Sequence, residues 1–432
     1  MRKFGLLGAL LALVLPLSCS GQKNAEQAAV STAPAGTPGE STPGVAVKAG
    51  VWRAVLNTSG GELPFGLELM PAATAGQFTA YALNGDERLR LDNATLHGDT
   101  LRIPMALFES ELVARVVDNR MEGTWRKRRV KDQYQVIPFE AQYGLRYRFT
   151  PAGKQPVGDL TGKWATVFRA QEGSDTTLAV GVFKQTGNRV TGTFLTPTGD
   201  YRYLEGNAFG DSLLLSCFDG THAFLFKAKQ GPNRTLTGTF QSGASYRETW
   251  TARYDPNAAL PDAGTLTYVK PGQRFTFAFP DAKGKPVALA DERFKNKVTI
   301  VQILGSWCPN CMDETNFLAP WYKKNRSRGV EVVGLAFEKS ADLKESGPKL
   351  ERMVNRFDVT YPVLLAGTND KAEASKALPA LNRVVAFPTT IFLDKQGKVR
   401  HIHTGFSGPG TGPYYDAYVE EFNRLVDKLL SE

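Results

Sequence analysis

Cysteine and histidine are scarce in this chain: of 432 residues only four are Cys and four are His. Of Cys19, Cys217, Cys308 and Cys311 only the last two form a C-x-x-C pair, with no second pair to complete a tetrahedral zinc site. Histidine supplies the missing ligands only by long-range convergence, because His97 and His222 lie far upstream and His401 and His403 lie about 90 residues downstream. Zinc is therefore disfavoured. Long apolar runs are also lacking: the uncharged stretch Phe4 to Leu17 is too short to span a bilayer well. The net charge is +9 and the pI about 9.2, but the basic residues are scattered apart from Arg126 to Arg129 (RKRR). A solvated strand end or turn is favoured for that run over contact with lipid phosphates or acidic envelope polymers. No nucleic-acid partner is expected.

What is present centres on Trp307, Cys308, Pro309, Asn310 and Cys311. Val298 to Leu304 (VTIVQIL), just before it, is β-branched and free of charge, as a strand buried within a sheet should be. After Cys308 the text turns helical: Pro309 suits a first helical turn, and Phe317, Leu318 and Trp321 recur at helix-face spacing. Cys308 is thus placed at a helix N-terminus, where the macrodipole and free N–H groups favour thiolate over thiol and make it the attacking nucleophile. Cys311, one turn in, is the more buried resolving thiol. A purely structural disulfide is less favoured, because closing so small a loop removes little unfolded-chain entropy. Val330 to Phe337 reads as a second buried strand, Pro348 to Phe357 as a charged amphipathic helix opened by its proline, and Phe387-Pro388-Thr389-Thr390 followed by IFLD as a strand entered through a proline.

These residues resemble the thioredoxin superfamily, and most closely its TlpA/ResA-type membrane-tethered thiol-disulfide oxidoreductases. The likeness covers about 160 residues from Gly272 to the C-terminus. It rests on the WCPxC start with Glu314 three residues after Cys311, on Phe387, Pro388 and Thr389, and on the hairpin Asp394 to His401 turned through Gln396 and Gly397. The resemblance implies a cis bond at Pro388, packed against the disulfide, so that the backbone beside it pairs with an extended substrate segment. Trp307, Pro309, Phe387 and Thr389 are the expected substrate-binding residues, and Trp307 is expected to shield the pair from water. The buried aspartate that thioredoxin keeps six residues before its nucleophile is replaced here by Gln302. Glu314, one turn beyond Cys311, takes over the resolving thiol's proton in this reading, with an ordinary helix-surface carboxylate as the alternative. The peroxiredoxin P-x-x-x-T-x-x-C motif is absent around Cys308.

Arg2 and Lys3, the apolar stretch and then Ser18 and Cys19 read as a secretory signal. A cysteine after a small residue resembles the bacterial lipobox, although Pro16 stands where leucine is usual; lipidation is expected on Cys19. Residues 1–19 are then a lipoprotein-type signal peptide. Residues 20–49, rich in Ala, Gly, Ser, Thr and Pro, form a flexible tether with a reach of about 30 Å. The expected location is a bacterial cell envelope, facing the periplasm on a lipid anchor.

Residues 50–150 and 160–254 read as an internal duplication with a spacing of about 112 residues. Gly50 and Trp52 match Gly162 and Trp164, GDTLRI at 98–103 matches GDSLLL at 210–215, and PFEAQY at 138–143 matches TWTARY at 249–254. Each copy alternates short apolar segments with Gly, Asn and Asp turns, which means strands rather than helices. The copies form two separate barrels, or one larger barrel or sandwich made from both halves, with closure favoured because it removes sheet edges. The expected architecture is multidomain: a duplicated all-β module followed by an α/β thioredoxin fold over residues 265–432. Phe168, Phe183, Phe194, Phe209, Phe218, Phe224 and Phe226 are expected in the core rather than on a binding surface, and Cys217 as a buried small hydrophobe.

The expected chemistry needs no metal or organic cofactor, only the redox-active pair Cys308 and Cys311. Catalytic roles fall to Cys308, Cys311, Glu314 and Pro388. The expected partners are disulfide-containing envelope proteins, a membrane electron donor if the reaction runs reductively, and the membrane through its lipid anchor. The same residues can run backwards as an oxidase or isomerase. Two other readings are a binding lipoprotein whose β module recruits a ligand or partner, with an accessory redox domain, and a cytochrome-maturation partner. His401 and His403 share one strand face and are expected to face solvent.

Overall fold

The computed structural model describes residues 46–130, 133–149, 155–171 and 175–432. The expected signal peptide, the lipidation site Cys19 and nearly all of the tether lie outside the described residues. Among the described residues, no helix is long and apolar enough to cross a membrane.

The first copy consists of β1 (Gly50–Thr58), β2 (Gly61–Pro71), β3 (Gln77–Asn84), β4 (Glu87–Arg90), β5 (Ala94–His97), β6 (Thr100–Met105), β7 (Ser110–Val117), β8 (Arg120–Val130) and β9 (Gln133–Tyr143). Antiparallel pairing runs β2-β1-β9-β8-β7-β6-β5-β3 and then closes through β2–β3, so eight strands form a barrel and the short β4 hangs on β3. The second copy repeats this plan with β10 (Gly162–Ala170), β11 (Thr176–Thr186), β12 (Arg189–Thr196), β13 (Gly199–Asp200), β14 (Leu204–Phe209), β15 (Ser212–Phe218), β16 (Ala223–Gly231), β17 (Thr235–Ser242) and β18 (Tyr246–Tyr254). Here β11–β12 closes the ring and β13 is the appendage. Of the arrangements left open by the sequence, the protein adopts two separately closed barrels.

The G-x-W start has the same job in both. Trp52 Nε1 donates to the Lys48 carbonyl at 3.0 Å, and Trp164 Nε1 donates to the Leu160 carbonyl at 2.8 Å, so each indole ties down the chain four residues before it. Each also meets a tyrosine of the last strand edge-on, Tyr143 at 5.2 Å and Tyr254 at 5.7 Å. Rings of Phe168, Phe194, Phe226, Phe240 and Trp250 interlock in the second barrel, with Cys217 buried in the same core. Phe218 crosses into the first barrel's core and stacks on Phe65 at 4.4 Å. Arg148, in the linker, is buried between the barrels and donates to Ser216, Leu83 and Asn84. The RKRR run lies in β8, where Lys127 Nζ reaches the Thr221 carbonyl of the second barrel at 2.7 Å.

The C-terminal part opens with the small pair β19 (Ala278–Pro280) and β20 (Pro286–Ala288), followed by β21 (Val298–Leu304), α1 (Pro309–Asn325), β22 (Val330–Glu338), α2 (Leu343–Phe357), β23 (Val363–Thr368), α3 (Lys371–Ala377), β24 (Thr389–Leu393), β25 (Val399–Thr404) and α4 (Pro413–Ser431). The sheet order is β23-β22-β21-β24-β25, with the first three strands parallel and the last two antiparallel. Every residue of β21 is buried, as its uninterrupted β-branched text requires. Asp394 Oδ1 accepts from the N–H groups of Gln396 and Lys398, and Gly397 takes φ +73°, which fixes the turn into β25. Helices α1 and α4 pack through Trp321 and Phe422, ring centroids 4.9 Å apart. Helix α2 begins earlier than its sequence suggests. Asp342 caps it by accepting from the Lys344 N–H, so Pro348 lies inside the helix rather than at its first turn.

Both barrels are docked on this domain. Leu107 from the 3₁₀ turn Ala106–Phe108 sits in the redox-domain core, flanked by Glu109 bound to Lys339 and Lys349 and by Asp92 bound to Arg356.

Candidate active site

The end of β21 and the start of α1 place the two cysteines. Cys308 is the N-cap of α1, Pro309 fills the first helical position, and Cys308 and Cys311 form a disulfide. The Cys311 N–H lies 3.2 Å from Cys308 Sγ, so the first sulfur already faces an amide that the helix leaves unpaired. Cys308 retains 6% exposure whereas Cys311 has none, which makes Cys308 the less buried residue of the pair.

The loop is anchored from beneath. Ser306 donates through its N–H (2.7 Å) and its hydroxyl (2.8 Å) to the buried carboxyl of Glu338, whose pKa burial pushes up. Trp307 Nε1 donates to the Phe337 carbonyl at 2.9 Å, and its ring meets Phe387 edge-on at 5.6 Å. Gly305 permits this: a Cβ there would stand 2.2 Å from the indole nitrogen.

The Phe387–Pro388 bond is cis. Phe387 presents its carbonyl oxygen 3.4 Å from Cys308 Sγ, within reach of an S–H donor when the cysteine is reduced. Thr389 is buried at the start of β24, opposite Ile303 of β21. The sequence-predicted residues Trp307, Cys308, Pro309, Cys311, Phe387, Pro388 and Thr389 are therefore brought together by the ends of β21, α1 and β24.

Glu314 is not a surface carboxylate; it has no exposure. Its Oε2 accepts from Gln302 Nε2 at 2.8 Å, and its Oε1 accepts from Thr390 Oγ1 at 2.5 Å and Tyr418 OH at 2.9 Å. All three partners are neutral, and burial raises the Glu314 pKa despite them. Gln302 also lies 3.4 Å from the Cys311 carbonyl, so one amide links the carboxyl to the backbone of the second cysteine. Gln302 is thus the partner of Glu314 rather than a missing function. Tyr418 was not legible in the sequence, since nothing in α4 marks it off from its core neighbours. His403 departs from expectation: it packs on the Tyr418 ring at 4.9 Å, and burial lowers its pKa to about 4. Among the described residues, no group of three or more His, Cys, Asp or Glu is placed to hold a metal ion.

A strand ending in a helix-capping C-x-x-C, faced by a cis-proline segment, defines a thioredoxin-fold dithiol centre. Residues 260–419 match the Redoxin family model, so the C-terminal part of the chain is a Redoxin domain. The thiol-disulfide oxidoreductase ResA of Bacillus subtilis (strain 168) is 29% identical over 129 residues, 30% of this chain and 64% of that protein. ResA of Bacillus anthracis is 28% identical over 123 residues, 28% of this chain and 62% of that protein. The chain thus spans a little under two thirds of these curated relatives. Among solved structures, a thioredoxin-family thiol:disulfide interchange protein from Chlorobium tepidum TLS is 24% identical, with 38% of this chain and 99% of that chain covered and a TM-score of 0.28. A thiol-disulfide oxidoreductase from Bacteroides fragilis NCTC 9343 is 22% identical, with 34% and 96% covered and a TM-score of 0.26.

Proposed function

We propose that this protein is a thiol-disulfide oxidoreductase of the bacterial cell envelope, tethered through Cys19 and reducing disulfides of envelope proteins. The observation that carries the reading is the Cys308–Cys311 pair at the N-terminus of α1, with the less buried sulfur beside the Phe387 carbonyl. In the reduced protein the Cys308 thiolate attacks one sulfur of a substrate disulfide; a mixed disulfide forms, and the other substrate sulfur leaves as a thiolate and takes a proton. Cys311, deprotonated with Glu314 as the acceptor, then attacks Cys308 and releases the second substrate thiol. The substrate gains two electrons and two protons, and the protein is left with its disulfide. Extended substrate backbone lies along Phe387 to Thr389, with Trp307 and Pro309 bordering the attacked sulfur.

The reductive direction requires a membrane electron donor, because the periplasm is kept oxidising. Equilibration of the protein with glutathione or dithiothreitol followed by thiol counting tests this. A reduction potential near or below about −250 mV marks a reductant, and one near about −120 mV marks an oxidant and reverses the proposed direction.

A further inference from the structure

The second barrel reaches into the redox centre. Its β12–β13 turn brings Asp200 against the C-x-x-C loop: Asn310 Nδ2, between the two cysteines, donates to the Asp200 carbonyl at 3.2 Å. The Asp200 carboxylate accepts from the Gly408 N–H at 2.7 Å and from the Arg202 N–H at 2.6 Å. Gly408 belongs to the stretch after β25 that is tied to the cis-proline segment, since the Gly405 N–H donates to the Pro388 carbonyl at 3.0 Å. The approach is tight on both sides. A Cβ on Gly199 would stand 2.6 Å from Asn310 Nδ2, and one on Gly405 would stand 2.9 Å from the Thr198 carbonyl carbon.

Arg202 completes the junction. Only 3% exposed, its guanidinium faces Glu87 of the first barrel at 2.7 Å, Asp219 of its own barrel at 3.3 Å, and Asp313 of α1 in direct contact. One cation therefore meets carboxylates from all three modules. Asp313 is five residues beyond Cys308, about 8 Å along the helix axis. Across that distance in a buried setting, a unit charge changes an ionisation equilibrium by roughly tenfold.

We propose that Asp200 and Arg202 are positioning residues of the dithiol: the second barrel holds the first turns of α1 and, through Arg202, neutralises Asp313, so that the barrel sets the stability of the Cys308 thiolate and hence the reduction potential. This rests on the redox reading above. Removing the Arg202 charge takes a buried cation away from the first turns of α1, beside a helix N-terminus whose dipole favours the thiolate. The reduced form loses stabilisation, and the dithiol becomes a stronger reductant. Removing the Asp313 charge acts in the opposite sense.

The test is the equilibrium of the reduced protein with glutathione disulfide, which yields the protein disulfide and two glutathione thiols. It is measured at pH 8 on the full chain, for the wild type, Arg202→Met, Asp313→Asn and the double variant. Arg202→Met is expected to shift the equilibrium about tenfold toward protein disulfide, equivalent to about 30 mV, Asp313→Asn to shift it toward dithiol, and the double variant to fall between them. A role confined to holding the modules together gives no such reversal of sign. Single variants that fold and keep the wild-type constant overturn the proposal. If Arg202→Met does not fold, Asp313→Asn decides alone: a shift toward dithiol supports the proposal and an unchanged constant overturns it. A wild type that does not exchange with glutathione at all removes the redox reading, and this inference with it.

Discussion

Replacement of Glu314 by Gln separates its proposed proton transfer from its packing. The side chain keeps its volume and one acceptor oxygen, so Thr390 and Tyr418 retain a partner. The amide nitrogen then faces Gln302, whose side chain can turn to offer its oxygen instead. The structural cost is that of one rearranged buried hydrogen bond, about 1 kcal/mol. The chemical cost is larger, because a positioned acid–base group contributes about 10²-fold at the low end of its usual range. That end applies here, since Glu314 touches Cys311 only through Gln302. Glu314→Gln should therefore form the mixed disulfide at the wild-type rate and release it about 10²-fold more slowly. Rapid quenching with an alkylating agent followed by mass spectrometry measures both steps. The sign of the pH dependence is also fixed. A carboxyl with a raised folded-state pKa holds a proton that the unfolded chain releases, so it loses stability as pH rises above the ordinary glutamate value. The Gln variant should consequently gain stability relative to the wild type as pH rises above the ordinary glutamate value. Wild-type release kinetics across that range would refute the role of Glu314.

Leu107→Ala should cost about 2–4 kcal/mol, because the side chain is 8% exposed and packed in the redox-domain core; denaturant titration reads it, with loosened docking of the first barrel as the accompanying effect. Burial, helped by Glu87 and Asp200 and opposed by Arg202, raises Asp313 to about 7 from its ordinary 3.8, so its contribution to stability should fall as pH rises through that window. Asp313→Asn should flatten this slope in thermal melts taken across the same range. Trp164→Phe should lose the indole bond to the Leu160 carbonyl and cost about 1–2 kcal/mol, and Trp52→Phe should lose a similar amount through Lys48.

The parts of this architecture that repeat or alternate are legible in the sequence. The β21 strand, the helix-capping Cys308 and the segment around Pro388 are each encoded within a few residues, and the duplicated G-x-W starts recur at a fixed spacing. Contacts between modules carry no such period. Arg202 reads as one more scattered base, yet three carboxylates close around it. Leu107 belongs to the first barrel's stretch of sequence but fills the core of another module. Asn310, between the two cysteines, donates its amide to a barrel residue 110 positions away. Pro348 looked like a helix start because the capping Asp342 precedes it without an apolar pattern to mark the first turn. Tyr418 reaches Glu314 from a helix 104 positions away, a separation that no local pattern records.

The central claim, that Cys308 is the attacking thiol and Cys311 the resolving one, is most directly tested by trapping. Reduced Cys311→Ser protein is incubated with a disulfide-bearing polypeptide and analysed by non-reducing mass spectrometry, with Cys308→Ser in parallel. The account predicts a stable mixed disulfide on Cys308 in the first variant and none in the second. An adduct carried by Cys311 in the Cys308→Ser protein, with none on Cys308, would contradict it.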